Sequence, residues 1–168
     1  MRHSEPTYKE VEERGYIGFG RDLGKLTREG IILAEETALK IKTNKFYNDI
    51  ELIIASPLTR ALQTAAIVSQ ITGLKIEVET DLHEWLSDEK NGFASWKEYL
   101  LKKGIHDETC KYKWEQHSNV RKRALTALER YQGKYKCILV VAHCGVIRAV
   151  LNEFKEQINF CEIIETKI

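Results

Sequence analysis

Residues 50–68 read IELIIASPLTRALQTAAIV, and this stretch decides the fold class. Ile50–Ala55 is a short apolar run, which is typical of a buried strand. Ser56 and Pro57 then supply a helix N-cap residue followed by proline at the first helical position. Beyond them, apolar residues recur at helical spacing: Leu58, Ala61, Leu62, Ala65 and Val68. The stretch therefore predicts a buried strand that leads directly into an amphipathic helix.

The same alternation of strands and helices continues along the chain. Strand-like patterns occupy residues 75–79, 137–142 and 160–166, and helix-like patterns occupy residues 29–42, 119–131 and 146–154, with another helix starting at Ser95. Residues 4–28 show no periodicity, so we expect a long ordered loop there. Helices that alternate with buried strands predict an α/β fold with three α/β/α layers around a mostly parallel central sheet. We expect residues 1–168 to form a single domain.

Composition excludes several classes of protein. The 26 Lys and Arg residues nearly balance the 25 acids, which disfavours a globally basic nucleic-acid binder. No apolar run is long enough for a transmembrane helix, and the N-terminus has no apolar signal core, so we expect a cytoplasmic protein without a membrane partner. The four cysteines, at positions 110, 137, 144 and 161, have neither disulfide-framework nor zinc-site spacing. The sequence therefore predicts no metal and no cofactor.

Polar residues follow two of the predicted strands directly. Ser56–Arg60 comes after one strand, and His143–Gly145 comes after the strand over residues 137–142. The carboxyl ends of parallel strands meet at one sheet edge, where ligands bind, so we expect both clusters at a common anion site. Two further segments carry candidate groups: Arg2-His3-Ser4-Glu5 and Asp81-Leu82-His83-Glu84-Trp85. Taken singly, each of these groups also fits an ordinary surface or core role.

In this order, the segments resemble the histidine phosphatase superfamily, also called the phosphoglycerate mutase-like family. The similarity extends over nearly the whole chain. It rests on Arg-His-x-Glu at residues 2–5, on Leu-Thr-Arg-Glu-Gly at 26–30, on Ser-Pro-Leu-Thr-Arg-Ala at 56–61 with Gln-Thr-Ala at 63–65, and on Ala-His-Cys-Gly-Val-Ile-Arg at 142–148. The resemblance implies a phosphoglycerate mutase-like fold and phosphoryl-transfer chemistry of a small phosphatase-type member.

The resemblance also implies a role for each candidate residue. His3 would be the nucleophile, Arg2, Arg60 and His143 would bind the phosphoryl group, and Glu84 would be the proton donor. If Glu84 acts only in binding, Asp88 is the next candidate acid. The residue types suit this chemistry, because guanidinium groups bind phosphoryl oxygens bidentately and an imidazole can attack phosphorus while neutral. The implied activity is a metal-independent phosphomonoesterase that forms a phosphohistidine on His3. A small-molecule phosphate ester is the expected substrate, and a phosphoprotein remains open.

Three departures from the family pattern bear on this function. Ser4 replaces a glycine, Pro6 replaces a Thr or Ser, and Lys9 stands where many members have a phosphate-contacting Asn. The segment between Glu84 and His143 is too short for the insertion that phosphoglycerate mutases carry, which favours a phosphatase. A phosphomutase and a non-catalytic module that binds a phosphorylated ligand are the alternatives.

Two further features of the sequence, a basic segment and a set of aromatic residues, can each be interpreted in two ways. Residues 97–136 hold eleven Lys or Arg against five acids, which fits either a solvated face or a positive rim around the substrate. The nearby aromatic side chains fit either the pocket or the core: His83, Trp85, Trp96 and Trp114.

In the resembling family an apolar strand precedes the Arg-His pair, but here only Met1 does. We therefore expect apolar codons upstream of Met1, in preference to a shortened strand that begins at Met1.

Overall fold

Helices and parallel strands alternate along the chain. The computed structural model describes residues 1–16, 18–87, 95–105, 108–111, 113–153 and 157–168. Its helices are α1 (Lys9–Glu13), α2 (Arg28–Thr43), α3 (Thr59–Thr72), α4 (Ser95–Leu101), α5 (His117–Glu129) and α6 (Cys144–Leu151). Its strands are β1 (Ile50–Ala55), β2 (Lys75–Val78) and β3 (Cys137–Val141), and short 3-10 helices span Gly18–Leu23, Lys45–Tyr47 and Thr80–Leu82. None of the helices in these ranges is long and apolar enough to cross a membrane.

The central sheet is parallel, and its order is β2-β1-β3. Ile53 of β1 lies opposite Ile76 on one side and Leu139 on the other. The chain start adds to the free side of β3, because Arg2 forms a parallel bridge with Ala142 and the His3 amide donates to the Ala142 carbonyl at 2.9 Å. These pairings bring the residues after β1, after β3 and at the chain start to one edge of the sheet.

Two apolar clusters cover opposite faces of the sheet, because successive side chains of a strand point to opposite sides. Ile53 and Ala55 join a cluster built with α2 and α3, where small residues such as Ala34, Ala38, Ala61 and Ala65 are fully buried. Leu52 and Ile54 join a second cluster with α5 and α6. The predicted α/β fold with three layers and a mostly parallel sheet is therefore confirmed.

Three local predictions were wrong. Helix α3 begins at Thr59 with Leu58 as its N-cap, so Ser56 does not cap the helix. Residues 4–28 are not a continuous loop, since they contain α1 and a 3-10 helix. Residues 160–166 do not form a regular strand, because Cys161 adopts a left-handed backbone with φ of 57°. They still pair with the chain start, since Cys161 N donates to Arg2 O and Arg2 N to Glu162 O, both at 3.1 Å.

The predicted helix over residues 146–154 is shorter than expected. Helix α6 begins at Cys144 and ends at Leu151, where Asn152 takes a left-handed C-cap conformation with φ of 57°. Asn tolerates this conformation better than most residues, so it is a suitable helix terminator. Phe154, the last residue predicted for this helix, lies outside the described residues.

Candidate active site

The candidate residues from four separate segments meet at the carboxyl edge of the sheet. A cavity of about 470 Å³ opens there, and its walls include Arg2, His3, Arg60 and Glu84. His143 lies directly behind His3, with 5.1 Å between the two ring centroids, and is completely buried. The structure therefore brings His3, His143 and the three charged candidates Arg2, Arg60 and Glu84 together.

The ring of His3 is held in one tautomer. Its Nδ1 lies 2.7 Å from the Ser4 carbonyl oxygen, which can only accept, so Nδ1 carries the proton. Nε2 is then unprotonated, and it accepts a hydrogen bond from Arg60 Nε at 3.2 Å. Burial, together with the positive charges of Arg60 and Arg2, lowers the pKa of His3 to about 3. His3 is therefore neutral at physiological pH, and its Nε2 keeps a lone pair, which accepts from Arg60.

Ser4 fits the place that the family gives to glycine. It is fully buried, its hydroxyl donates to the Gly30 carbonyl at 2.6 Å, and its amide donates to Thr64 Oγ1 at 3.0 Å. These bonds tie the segment that carries His3 to the start of α2 and to α3. Lys9, at the place of the family's phosphate-contacting Asn, is exposed, and its Nζ lies 3.8 Å from Glu13 Oε1. It is not among the residues that line the cavity.

Two guanidinium groups flank His3. Arg60 is only 4% exposed, and its Nη1 donates to Asp22 Oδ1 at 3.0 Å. Arg2 donates from Nη1 to the Ile158 carbonyl, and its guanidinium carbon lies 4.0 Å from the centre of the Phe160 ring. Both groups are thus held in fixed orientations at the cavity wall, as binding of a phosphoryl group requires.

His143 is oriented by Ser56. The Ser56 hydroxyl lies 2.6 Å from His143 Nε2, and it also accepts from the Leu58 amide at 3.4 Å. The hydroxyl can donate to Nε2, and in that arrangement the ring proton of a neutral His143 is on Nδ1. Burial, followed by the charge of Arg60, lowers the pKa of His143 well below its usual value. Nδ1 is buried and has no hydrogen-bond partner among the described residues, so it can donate to a ligand.

The Glu84 carboxylate rests on the first turn of α6. Oε1 accepts from the Trp85 amide at 3.0 Å, and Oε2 accepts from the Gly145 amide at 3.4 Å. Only glycine fits at 145, because a Cβ there would collide with the Glu84 carboxylate and the Trp85 ring. Burial raises the pKa of Glu84, and the nearby charge of Arg60 and the two amides oppose this effect without cancelling it. The carboxyl group is thus suited to exchange a proton near the cavity.

A comparison with known protein families identifies the family of this chain. The model of the histidine phosphatase superfamily (branch 1) matches residues 1–162. This chain belongs to the histidine phosphatase superfamily. No curated protein matches the sequence at a significant level.

Solved structures of other proteins share this histidine phosphatase fold. A mycobacterial glucosyl-3-phosphoglycerate phosphatase aligns with a TM-score of 0.65 and 21% identity, over 89% of this chain and 74% of that one. YhfR from Bacillus stearothermophilus aligns with a TM-score of 0.64 and 22% identity, over 89% and 75% of the two chains. A putative alpha-ribazole-5'-P phosphatase from Escherichia coli K-12 aligns with a TM-score of 0.59 and 22% identity, over 88% and 73%. At these identities, the comparison establishes the fold.

The aromatic residues with open interpretations lie in different places. Trp85 and Trp114 both belong to the second apolar cluster, and Trp85 also lines the cavity and stacks on Tyr99 with 4.1 Å between ring centroids. His83 lies in a shallow depression beside the cavity, and the side chain of Trp96 and the whole of Asp88 lie outside the described residues. Among the described cations of residues 97–136, Arg123 and Arg130 pair with acids and none lines the cavity. These observations favour the solvated face.

Several residues that surround the site were not predicted from the sequence. Ser56 was interpreted as a helix cap, and Asp22 had no motif to mark it. Arg148, now 4% exposed, and Arg21 also line the cavity. Arg148 comes four residues after Cys144, so the two lie on one face of α6, and both line the cavity. No group of three or more His, Cys, Asp or Glu side chains in the described ranges could hold a metal ion.

Proposed function

We propose that this protein is a phosphomonoesterase that hydrolyses its substrate through a phosphohistidine on His3. This proposal is supported by the tautomer of His3: the Ser4 carbonyl holds the proton on Nδ1, so Nε2 keeps a lone pair, which accepts from Arg60 Nε in a side chain that lines the cavity. A neutral imidazole in contact with a guanidinium group is suited to attack an anionic phosphoryl group.

In the first half-reaction, His3 Nε2 attacks phosphorus and the bond to the ester oxygen breaks. The phosphoryl oxygens displace the contact between Arg60 and His3 and are bound by Arg2, Arg60 and the Nδ1–H of His143. These donors stabilise the charge that the oxygens carry in the transition state. The leaving alkoxide takes a proton from the Glu84 carboxyl group, whose raised pKa keeps part of it protonated.

In the second half-reaction, water attacks the phosphohistidine. The Glu84 carboxylate left by the first step accepts a proton from this water, the phosphorus–Nε2 bond breaks, and inorganic phosphate leaves. His3 returns to its neutral form with its proton still on Nδ1, and Glu84 is again protonated. The cycle balances without a metal ion or a cofactor, and we propose that none takes part.

The cavity supports a small phosphate ester as the substrate. Its volume of about 470 Å³ lies within the range of small-molecule sites. Beyond the phosphoryl position its walls are partly aromatic and apolar, including Tyr8, Trp85 and Phe160. A phosphorylated side chain of a protein is the less favoured substrate. Since no disulfide joins any of the four cysteines, we also propose that the protein acts in the reducing cytoplasm.

The test is to trap the intermediate. Wild-type protein is mixed with a 32P-labelled aryl phosphate and quenched in alkali, where a phosphohistidine survives and a phosphoserine ester is lost. We expect label on His3 and none in His3→Ala, with vanadate inhibiting and EDTA leaving turnover intact. Label on another residue, or equal turnover by His3→Ala, would exclude the mechanism. Transfer of label to a second position of a sugar acid, rather than to water, would indicate the phosphomutase.

A further inference from the structure

Two side chains outside the cavity hold the loop that carries Glu84. They are Arg123, from α5, and Glu115, which lies just before that helix. Their side chains are only 14% and 13% exposed, and neither is among the residues that line the cavity. A buried pair of this kind needs full satisfaction of its hydrogen bonds, and here the loop supplies the remaining partners.

Arg123 binds three backbone carbonyls of this loop. It donates from Nη1 to the carbonyls of Asp81 and His83, the latter at 2.9 Å, and from Nη2 to the Glu84 carbonyl at 3.3 Å. A planar guanidinium group presents its five N–H donors in a fixed geometry, so it can bind several acceptors only when the loop has one shape. Lysine has one donor atom and cannot reproduce this arrangement.

Glu115 holds Arg123 and the far side of the same loop. Its carboxylate accepts from Arg123 Nε at 2.7 Å and from Nη2 at 2.9 Å. It also accepts from the Leu86 amide at 3.1 Å, and the Glu115 amide donates to the Leu86 carbonyl at 2.8 Å. Burial alone would raise the pKa of Glu115, but the hydrogen bonds and charge of Arg123 lower it below its usual value. The carboxylate is therefore ionised when it binds the loop.

We propose that Arg123 and Glu115 are positioning residues that fix the backbone on both sides of Glu84, so that its carboxyl group reaches the leaving oxygen of the substrate. This inference rests on the proposed function, because it gives the pair a role in the proton transfer by Glu84. Neither residue touches the substrate. Their effect passes through the backbone of residues 81–86 to a carboxylate that accepts from the amides of Trp85 and Gly145.

Arg123 acts on Glu84 through its charge as well as through its hydrogen bonds to the loop. Arg123 and Arg60 both lower the pKa of Glu84, against the larger effect of burial. The other titratable groups that interact with Glu84 from the elements around it are Arg2, Tyr99 and Cys144. Removing the charge of Arg123 therefore raises the pKa of Glu84, whereas replacing Arg123 by lysine keeps a charge there. Geometry and charge can thus be separated by choice of variant.

The experiment compares Arg123→Gln, Arg123→Lys and Glu115→Gln with a matched control, Arg121→Gln. Arg121 lies on the same helix and also donates to two backbone carbonyls, those of Ala149 and Val150, but these are on α6 and not in the Glu84 loop. The readouts are kcat for an alkyl phosphate, which needs a proton donor, kcat for a nitrophenyl phosphate, which hardly needs one, and the pH dependence of each.

We expect the three test variants to lose roughly 10–100-fold in kcat for the alkyl phosphate, as for other supporting residues, and less than about 3-fold for the nitrophenyl phosphate. Arg123→Gln should also move the basic limb of the alkyl phosphate profile to higher pH, because Glu84 stays protonated longer. Arg123→Lys should leave this basic limb at the pH of the wild type, but its kcat for the alkyl phosphate should still fall. Arg121→Gln should lower only the denaturation midpoint.

Three outcomes would overturn the proposal while leaving the proposed function intact. The first is an equal loss of kcat with both substrates. The second is that the test variants behave like Arg121→Gln. The third is that all three test variants fail to fold. If Arg123→Gln alone fails to fold, Arg123→Lys and Glu115→Gln decide. Failure of the proposed function is recognised separately, because wild-type protein would then release no phosphate from either ester.

Discussion

The Ser56 hydroxyl lies 2.6 Å from Nε2 of His143. This contact joins the residue after β1 to the residue after β3. When the Ser56 hydroxyl donates to Nε2, the proton of a neutral His143 is on Nδ1, the buried nitrogen with no partner in the described part of the chain. In this arrangement His143 is a neutral hydrogen-bond donor.

Removal of the Ser56 hydroxyl should slow turnover. In Ser56→Ala, His143 can place its proton on either nitrogen, so part of the protein has no donor directed at the phosphoryl group. We expect kcat to fall roughly 10–100-fold, the usual effect of losing a supporting hydrogen bond. Ser69→Ala is the control, because it removes a similar bond, to the Leu74 carbonyl at 2.6 Å, from the far end of α3. Equal kcat in both variants would show that Ser56 does not set the tautomer.

Neutralisation of Asp22 should strengthen phosphate binding. Asp22 Oδ1 accepts from Arg60 Nη1 at 3.0 Å and competes with a phosphoryl group for that guanidinium. The Asp22 side chain is 33% exposed, and a pair of this kind contributes ~0.2–1 kcal/mol. We therefore expect Asp22→Asn to lower the inhibition constant of inorganic phosphate by up to about 5-fold. Glu13→Gln removes an equal charge from the exposed face of α1 and should change nothing; an unchanged constant in Asp22→Asn would remove Asp22 from the site.

Substitution of Glu84 should affect substrates according to their leaving groups. A glutamine side chain at this position would keep the shape of the glutamate but could not donate a proton to an alkoxide. We expect Glu84→Gln to slow an alkyl phosphate by roughly 10²–10⁴-fold and a nitrophenyl phosphate much less. A plot of log kcat against the pKa of the leaving group measures this difference as a steeper slope. An unchanged slope with a uniform loss would assign Glu84 to binding.

Acid should destabilise the protein through its two buried histidines. The pKa of His3 is about 3 in the folded state, and that of His143 is also far below the usual value. Between pH ~6.5 and the folded-state pKa, the unfolded chain binds a proton that the folded chain does not, so stability falls as pH falls. His3 should cost about 2 kcal/mol between pH 7 and pH 5, and His143 should act in the same direction. Burial raises the pKa of Glu84, which opposes this trend in part.

Urea denaturation at pH 7 and pH 5 measures this effect directly. His3→Gln cannot titrate at position 3, so its loss of unfolding free energy over this range should be smaller than that of the wild type by about 2 kcal/mol. The comparison within each protein cancels any general effect of the substitution. An equal loss of unfolding free energy in the two proteins would mean that His3 has an ordinary pKa in the folded state.

The predictions from sequence held where they depended on periodic patterns and on chain order. The apolar run at residues 50–55 and the helical spacing after it identified β1 and α3, because burial in a parallel sheet leaves a continuous apolar pattern. The pairing of β1 with β3 then placed Arg60 and His143 at one edge, as the carboxyl-edge rule required. The boundary at Ser56 was wrong because capping is a local preference, and the tertiary contact with His143 uses the same hydroxyl.

The α/β layering and the set of groups available at the sheet edge follow from the order of the amino acids, since periodic burial and strand order are properties of the chain. How those groups are used depends on tertiary contacts. The proton on His3 Nδ1, the contact of Asp22 with Arg60 and the hold of Arg123 on residues 81–84 all depend on how the chain is folded around these groups. Whether two such groups form a hydrogen bond changes with shifts of a few tenths of an ångström in the distance between them. It also depends on the side-chain rotamers, which packing selects. A hydrogen bond has a narrow range of distance and angle, and no pattern in a linear chain encodes that range.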